Sequence, residues 1–375
     1  MAGIYIHIPF CKKACTYCDF HFTTSSKYMN EMVDAICKEI RLKKDRVNEQ
    51  IGSIYFGGGT PSVLSSASLE KIFNTLVDCF SISANAEITI ETNPDDLDAK
   101  KISELRKLPI NRFSIGIQSF FEEDLIWMNR AHNAQEAESC IKRSQDAGFD
   151  NISIDLIYGY PLLKDEKWLA NIETAVNLHT PHISAYSLTV EAKTALANAI
   201  KKGKQIGLSD EQSATQFITL TEKLAEAGFE HYEISNYALP GKYAVHNTNY
   251  WKGVPYLGIG PSAHGFDGFN RYINLANNAK YLGLLENYQL AETVEELSKT
   301  DRFNEYMMTS LRTQWGIDID KINADFGRNF AEDTQKLIKP FITKGQLILQ
   351  DNIVKLTQEG KLFADGIAAE LFAEN

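Results

Sequence analysis

The sequence predicts an α/β protein in which a parallel sheet with helical crossovers is followed by a smaller, mainly helical module. Two observations lead to this prediction. Over the first 190 residues, six short apolar segments rich in β-branched residues alternate with stretches whose apolar residues recur at helical spacing. After residue 190 the alternation ends, and helical patterns followed by a short hairpin take its place.

The six predicted strands are apolar or mixed along their length, as expected for strands covered on both faces. They span residues 4–8, 54–56, 88–90, 113–117, 152–157 and 183–190. Asn133 and Glu136 have the spacing of a capping box, and Gly148 is placed to end the helix that they begin. An open doubly wound sheet and an open barrel fit this pattern equally, and in both folds ligands bind at the carboxyl ends of the strands.

The rest of the chain is predicted to be helical, with one hairpin near its end. The helices span residues 209–228, 300–315 and 331–344, and the hairpin strands 347–349 and 353–356 flank a turn at 350–352. Helices followed by a small hairpin are typical of a winged-helix-like module. We therefore predict three regions: a core at 1–240, a connecting segment at 241–290 and a winged-helix-like domain at 291–375.

Composition narrows the class of protein. Of 375 residues, 44% are hydrophobic and 23% are charged, which is ordinary for a globular protein and excludes wholesale disorder. The net charge of −11 disfavours a nucleic-acid partner. No apolar run reaches the length of a transmembrane helix, and no signal peptide is recognisable. We therefore expect a cytoplasmic protein, for which peripheral membrane contact stays open.

Three cysteines form a tight cluster directly after the first predicted strand. Cys11, Cys15 and Cys18 have the spacing CxxxCxxC, and in a reducing compartment such a cluster favours a metal site over a disulfide. Three thiolates on one loop can hold a [4Fe–4S] cluster and leave one iron open. The alternatives are a Cys₃His zinc site that uses His7 or His21, and three cysteines with no common role. A zinc loop with a winged helix would suit a DNA-binding regulator, which the acidic balance disfavours.

Further polar or small residues lie at or near the ends of the predicted strands 2 to 5. They are Gly58, Gly59, Thr60, Glu91, Gln118, Arg130 and Asp155. Glycines at a strand end allow the backbone to approach a ligand closely, although a plain tight turn explains them as well. An aspartate inside an apolar strand is costly unless it has partners. Their joint position at one end of the sheet favours a binding site.

The CxxxCxxC loop after the first strand, with Tyr17 before the third cysteine, resembles the radical S-adenosylmethionine (SAM) superfamily. This resemblance implies a partial (β/α)6 barrel. It also implies that Cys11, Cys15 and Cys18 bind a [4Fe–4S] cluster whose open iron takes the amino and carboxylate groups of SAM. Reduction of that cluster, by a donor such as flavodoxin or ferredoxin, would cleave SAM to a 5′-deoxyadenosyl radical.

The sequence segments around the first five strands closely resemble those of the oxygen-independent coproporphyrinogen III oxidase branch of this superfamily. This closer resemblance implies a set of SAM-contacting residues. They are Tyr5, Tyr17, Gly58, Gly59, Thr60, Glu91, Gln118, Arg130 and Asp155. In the oxidases the positions of Gln118, Arg130 and Asp155 contact a second SAM.

Two features point from the oxidases to the HemW-type haem chaperones, which resemble them. Phe20 stands where the oxidases carry a further cysteine, and the motif HNxxYW occupies residues 246–251. The resemblance implies a protein that binds haem, the cluster and SAM, and delivers haem to acceptor haem proteins. His246 is then a candidate axial ligand, with Tyr250 and Trp251 stacking on the macrocycle. A structural corner explains the motif equally well, and oxidative decarboxylation in porphyrin biosynthesis is the alternative function.

Overall fold

A computed structural model describes residues 1–374. Its strands, in chain order, are β1 (Ala2–Ile8), β2 (Ile51–Gly58), β3 (Ile82–Thr92), β4 (Arg112–Gln118), β5 (Ile152–Tyr158), β6 (His182–Ser187), β7 (Glu230–Glu233), β8 (Asn236–Ala238), β9 (Tyr256–Ile259), β10 (His264–Phe266), β11 (Asn270–Asn274), β12 (Glu292–Glu296), β13 (Ile317–Asp318), β14 (Leu347–Gln350) and β15 (Ile353–Leu356).

The helices follow the same order. They are α1 (Met29–Leu42), α2 (Ser66–Cys79), α3 (Ala99–Leu105), α4 (Glu122–Trp127), α5 (Ala134–Asp146), α6 (Asp165–Asn177), α7 (Ala195–Lys201), α8 (Asp210–Glu226), α9 (Val245–Trp251), α10 (Asn278–Glu286), α11 (Lys299–Leu311), α12 (Ile319–Phe326), α13 (Arg328–Leu337), α14 (Lys339–Thr343), α15 (Gln358–Lys361) and α16 (Ala364–Glu370).

The predicted alternation of strands and helices is confirmed over the first 190 residues. β1 to β6 lie side by side in sequence order and pair in parallel, with helices between them. Asn133 and Glu136 form the predicted capping box at the start of α5, and Gly148 follows that helix with φ +84°. The sixth strand ends at Ser187 instead of residue 190. The Leu188 amide still donates a hydrogen bond to the Tyr158 carbonyl, and beyond it the chain leaves the sheet.

The sheet extends beyond these six strands on both sides. Its order is β12-β11-β10-β9-β1-β2-β3-β4-β5-β6-β8-β7, in which β9 pairs in parallel with β1 and the other added strands pair antiparallel. β7 and β12 form the two edges, so the sheet is not closed by hydrogen bonds between the described residues. Residues 241–290, predicted as a connecting segment, thus contribute three strands to this sheet. The division at residues 240 and 290 stays a prediction.

The C-terminal part has an apolar core of its own, which runs from Phe303 to Leu371. The predicted hairpin is confirmed as β14 and β15, with Asp351 and Asn352 at positive φ in its turn, and β13 pairs beside it. The helix predicted over 331–344 is interrupted instead, because Pro340 has no amide hydrogen to continue α13. The helix predicted to reach residue 315 ends as α11 at residue 311. Within residues 1–374, no helix has both the length and the apolar character needed to cross a bilayer.

Candidate cofactor site

The carboxyl ends of the six parallel strands open on one cavity of about 360 Å³. In a flat sheet, β1 and β6 would lie about 24 Å apart, so their meeting at one cavity shows that the sheet is curled. All predicted cluster and SAM residues except Tyr5 line this cavity. They are Cys11, Cys15, Tyr17, Cys18, Gly58, Gly59, Thr60, Glu91, Gln118, Arg130 and Asp155.

The cysteine loop is held by backbone hydrogen bonds while its thiols face the cavity. The Cys11 amide donates to the Thr23 carbonyl at 3.0 Å, which ties the start of the loop to the chain beyond it. Thr60 Oγ1 lies 3.5 Å from Cys11 Sγ, and Arg130 Nη1 lies 3.3 Å from Cys15 Sγ. Burial raises the pKa of the Cys11 thiol, and it raises that of the Cys18 thiol to about 11. Deprotonation of these thiols therefore requires a bound cationic group.

The loop does not favour a mononuclear zinc site. Among residues 1–374, no three His, Cys, Asp or Glu side chains converge on a point that one metal ion could occupy. His7 is engaged at both ring nitrogens, by the Tyr5 hydroxyl and the His21 carbonyl, and His21 Nε2 lies 2.7 Å from Asn278 Oδ1. His7 therefore has no ring nitrogen left for a metal ion, whereas the hydrogen bond of His21 occupies only its Nε2.

A cluster of several metal ions fits this donor set better. The three thiols surround a cavity instead of a point, as an iron–sulfur cluster requires. Arg130 brings a buried guanidinium beside Cys15, and its Nε has no hydrogen-bond partner among the described residues. A cluster carrying thiolate and sulfide ligands would supply the negative charge that this buried cation otherwise lacks.

The glycine run after β2 is required by the cysteine loop itself. The Gly59 amide donates to the Ile8 carbonyl at 2.9 Å, and the Thr60 amide donates to the Phe10 carbonyl at 2.7 Å. A Cβ on Gly59 would lie 2.6 Å from the Phe10 carbonyl oxygen, which is far inside contact distance. Gly58 has φ +106°, where only glycine is unstrained. Close backbone packing therefore explains these glycines, whether or not they also contact a ligand.

Two buried carboxyl groups face the same cavity. Burial raises the pKa of Glu91 to about 7, even though Glu91 accepts hydrogen bonds from the Tyr55 hydroxyl at 2.9 Å and the Gly58 amide at 3.1 Å. Burial also raises the pKa of Asp155 to about 6, against the opposing effect of Arg112. Both groups would gain from a cationic ligand, and SAM carries an ammonium and a sulfonium.

Further polar residues at this rim were not predicted from the sequence. Asn93 accepts a hydrogen bond from Arg130 Nη2 at 2.7 Å and donates to Thr60 Oγ1 at 3.2 Å, so it connects two predicted residues. Ser114 and Tyr186 also line the cavity. Asn93 directly follows β3 and Tyr186 lies near the end of β6, so the strand-end rule would have found them if applied to every polar residue.

A second cavity of about 440 Å³ adjoins the first. Phe20, Gly58, Glu91 and Tyr186 line both cavities, and the second has a more aromatic wall. Its lining also includes Tyr5, Tyr55, Tyr250, Trp251 and Arg312. Arg312 comes from the C-terminal part, and its guanidinium lies 5.6 Å from the centre of a Trp251 ring. The two parts of the chain therefore build this cavity together.

The histidine of HNxxYW lies beneath the second cavity and does not line it. His246 is 1% exposed, and its Nδ1 and Nε2 lie 2.8 Å from Ser53 Oγ and 2.7 Å from the Tyr250 hydroxyl. The Gly3 position is tight against its ring, since a Cβ there would lie 3.2 Å away. Burial lowers the pKa of His246 to about 3. The geometry favours the structural interpretation for His246, while Tyr250 and Trp251 reach the cavity wall. A ligand role for His246 stays a prediction.

Comparisons with known proteins show which family has this architecture. The family model of the Radical SAM superfamily matches residues 5–175, and that of the HemN C-terminal domain matches residues 297–363. The chain is 31% identical to the heme chaperone HemW of Bacillus subtilis strain 168 over 100% of both chains. It is 30% identical to the heme chaperone HemW of Escherichia coli K12, over 99% of this chain and 98% of that relative.

The chain belongs to the HemW family of radical SAM proteins. Membership in this superfamily implies a [4Fe–4S] cluster and SAM. A solved structure titled as coproporphyrinogen III oxidase (HemN) from Escherichia coli, a radical SAM enzyme, aligns with a TM-score of 0.86. That alignment covers 99% of this chain and 90% of the other at 22% identity. The predicted partial (β/α)6 barrel with a smaller C-terminal domain is thereby confirmed.

Proposed function

We propose that this protein is a cytoplasmic haem chaperone, which binds haem together with a [4Fe–4S] cluster and SAM and delivers the haem to acceptor haem proteins. The observation that carries the proposal is the pair of adjoining cavities, one lined by three thiols and the other by aromatic rings, Arg312 and the two glutamates Glu91 and Glu233. A planar ligand with carboxylate substituents suits the second cavity, while the cluster and SAM occupy the first. The name borne by the full-length relatives, heme chaperone, supports haem as that ligand.

Different residues of the first cavity bind the cluster and SAM. Cys11, Cys15 and Cys18 bind the cluster, and Arg130 balances its negative charge. Glu91 and Asp155 present carboxyl groups to the cationic groups of SAM. The cluster, when bound with SAM, supplies one-electron chemistry, for which flavodoxin or ferredoxin would be the donor. The proposed role of this site does not require the HNxxYW motif.

The residues of the second cavity bind the haem. Tyr250 and Trp251 offer aromatic faces on which a macrocycle can stack, and Arg312 offers a cation for a propionate group. His246 holds the Tyr250 hydroxyl from below, at 2.7 Å. In this assignment His246 is a positioning residue and not an iron ligand.

The second candidate function is that of an oxygen-independent coproporphyrinogen III oxidase. The observation that favours it is that Gln118, Arg130 and Asp155 all line the thiol cavity, where the oxidases hold a second SAM. Phe20 disfavours it, because the oxidases carry a cysteine at that position. Their chemistry also needs SAM turnover, which a chaperone does not.

Haemin titration of the anaerobically reconstituted protein tests the proposal. We expect a Soret shift that saturates at one haem per chain, followed by transfer of that haem to an apo-haem protein. A Trp251→Ala variant should bind haem more weakly than the wild type while keeping its iron and sulfide. The absence of saturable binding would overturn the proposal. Conversion of coproporphyrinogen to protoporphyrinogen, with release of 5′-deoxyadenosine, would replace it with the second candidate.

A further inference from the structure

A third cavity, of about 250 Å³, lies where the C-terminal part meets the edge of the large sheet. The two parts are joined there by backbone hydrogen bonds, from the Ile234 amide to the Arg312 carbonyl at 3.0 Å and from the Gln314 amide to the Tyr232 carbonyl at 2.9 Å. The cavity opens beside this junction. It shares Glu233 and Arg312 with the second cavity, but none of the predicted cofactor residues line it.

The charged side chains around the cavity are mostly cationic. Lys355, Lys361 and Arg312 line it, against the single carboxylate of Glu233. Glu233 already accepts hydrogen bonds from the Ser235 amide and the Asn236 side chain. Asp365 pairs with Arg312 from outside the lining, so three cations face two carboxylates and one positive charge is left unbalanced.

Lys361 is the clearest sign of a missing partner. Its ammonium donates to His231 Nδ1 at 2.9 Å, and His231 Nε2 donates in turn to the Ile234 carbonyl at 3.2 Å, so His231 is neutral. Burial alone lowers the pKa of Lys361 to about 8, with no carboxylate opposing it. The ion pairs of residues 1–374 include neither Lys355 nor Lys361. The fold thus desolvates an ammonium group and gives it only a neutral imidazole.

Arg312 adds a second open donor at the same place. One arm of its guanidinium pairs with Asp365, but its buried Nε has no partner among the described residues. Buried donors and cations that lack partners are costly, and a bound anion is the ordinary way to satisfy them.

We propose that this junction cavity binds a small phosphate-bearing anion, held by Lys355, Lys361 and Arg312. Lysine acts as a point charge that suits phosphate oxygens, and a phosphate group carries close to two negative charges near neutral pH. The cavity volume accommodates inorganic phosphate, pyrophosphate or the head of a small phosphate ester. The proposal shares Arg312 with the proposed haem cavity but does not require haem to bind there.

An anion at this position would connect the two parts of the protein. Lys355 and Lys361 belong to the C-terminal part, while His231 and Glu233 belong to the edge of the sheet. Binding would therefore strengthen the docking of the C-terminal part on the barrel. Because Arg312 also lines the second cavity, that docking sets where its guanidinium lies.

Calorimetric titration of the reconstituted full-length protein tests the proposal, with inorganic phosphate and pyrophosphate as separate ligands and sodium chloride at equal ionic strength as the blank. We expect saturable binding of at least one of the two and a rise in the thermal unfolding midpoint when it is bound. Lys361→Met should raise the Kd at least about tenfold. Lys321→Met makes the same charge change in the C-terminal part, at a lysine paired with Asp325, and should leave the Kd unchanged.

The unfolding midpoint without phosphate separates binding from a merely structural role. Lys361→Met should leave that midpoint unchanged or raise it, since the variant removes a desolvated cation. A variant that lowers the midpoint equally with and without phosphate would show that Lys361 only supports His231, and would overturn the proposal. Failure of both ligands to bind the wild type, or an equal loss of binding in Lys361→Met and Lys321→Met, would overturn it too.

Discussion

The cysteine loop and the HNxxYW motif both contain residue types that commonly ligate metals, yet their surroundings in the structure are opposite. The thiols of Cys11, Cys15 and Cys18 line a cavity, and Thr60 and Arg130 are their nearest polar partners there. The imidazole of the motif is buried, with both nitrogens hydrogen-bonded within the chain. Residue type therefore identifies candidates, whereas open bonding capacity at a cavity distinguishes a binding group from a structural one.

The largest expected effect is at the cysteine loop. Cys15→Ala removes one thiolate of three, so the reconstituted protein should lose nearly all of its iron, its sulfide and its absorbance near 400 nm. The matched control is Cys79→Ala, a half-buried cysteine at the end of α2 that lies away from the loop. Iron and sulfide analysis after anaerobic reconstitution measures both. Full iron content in Cys15→Ala would show that the cysteine loop does not bind the cluster, and the contrast with the HNxxYW motif would then fail.

The corresponding change in the motif should cost stability and leave the cluster in place. His246→Ala leaves the Ser53 and Tyr250 hydroxyls without their partner and creates a void, at a cost of about 3–4 kcal/mol in the free energy of unfolding. His264→Ala, at an exposed histidine, should change it by less than about 0.5 kcal/mol. Urea unfolding measures both variants. An unchanged midpoint for His246→Ala, with lost haem binding, would make His246 a ligand after all.

The pH dependence of stability should also distinguish the cavity with the three thiols, through Glu91, from the buried motif. The folded pKa of Glu91 is about 7 against an ordinary value of 4.5, so between these values the folded state binds more protons than the unfolded state. Stability without SAM should therefore fall by up to about 3 kcal/mol as the pH rises from 4.5 to 7. Glu91→Gln should make this slope shallower and leave the part due to Asp155, whose pKa burial also raises, while the exposed Glu226→Gln should retain the full slope. Equal slopes in Glu91→Gln and the wild type would show that Glu91 is not the cause.

The smallest effect concerns the glycine that supports the loop. Gly59→Ala forces a Cβ against the Phe10 carbonyl, and we expect a loss of about 1–3 kcal/mol in unfolding free energy and a lower cluster occupancy. Gly283→Ala places the same methyl group in open space within α10, where it should stabilise by about 0.5–1 kcal/mol. Thermal unfolding of the two variants compares them directly. Wild-type stability in Gly59→Ala would mean that the loop can move away from β2.

The sequence predicts the parts of this fold whose signal is local. β1 and β5 are apolar and β-branched and are buried along nearly their whole length, so their pattern is readable without knowledge of their neighbours. β12 has the sequence ETVEE and is largely exposed, and it forms a strand only because β11 offers an edge to pair with. The interruption before α14 could be read from Pro340, whereas the pairing of β9 with β1 could not.

The same division applies to the site. The cysteines were predicted from their spacing, and the residues at the strand ends were predicted because order along a parallel sheet fixes which ends meet. The environment of His246 was not, because it depends on Ser53 and Gly3, which are distant in sequence and ordinary in type. Arg312 was also missed, since it comes from a helix end in another part of the chain.

The position of β1 has a consequence for the order of events during synthesis. β1 leaves the ribosome long before β9, with which one of its edges pairs. The two strands lie about 250 residues apart, which at the usual rate of translation means a delay of about 12–50 s. Until then the strand that leads into Cys11 has an unpaired edge open to other chains. A nascent chain that stalls before β9 should therefore aggregate through that edge, and a factor that covers it would protect the newborn protein.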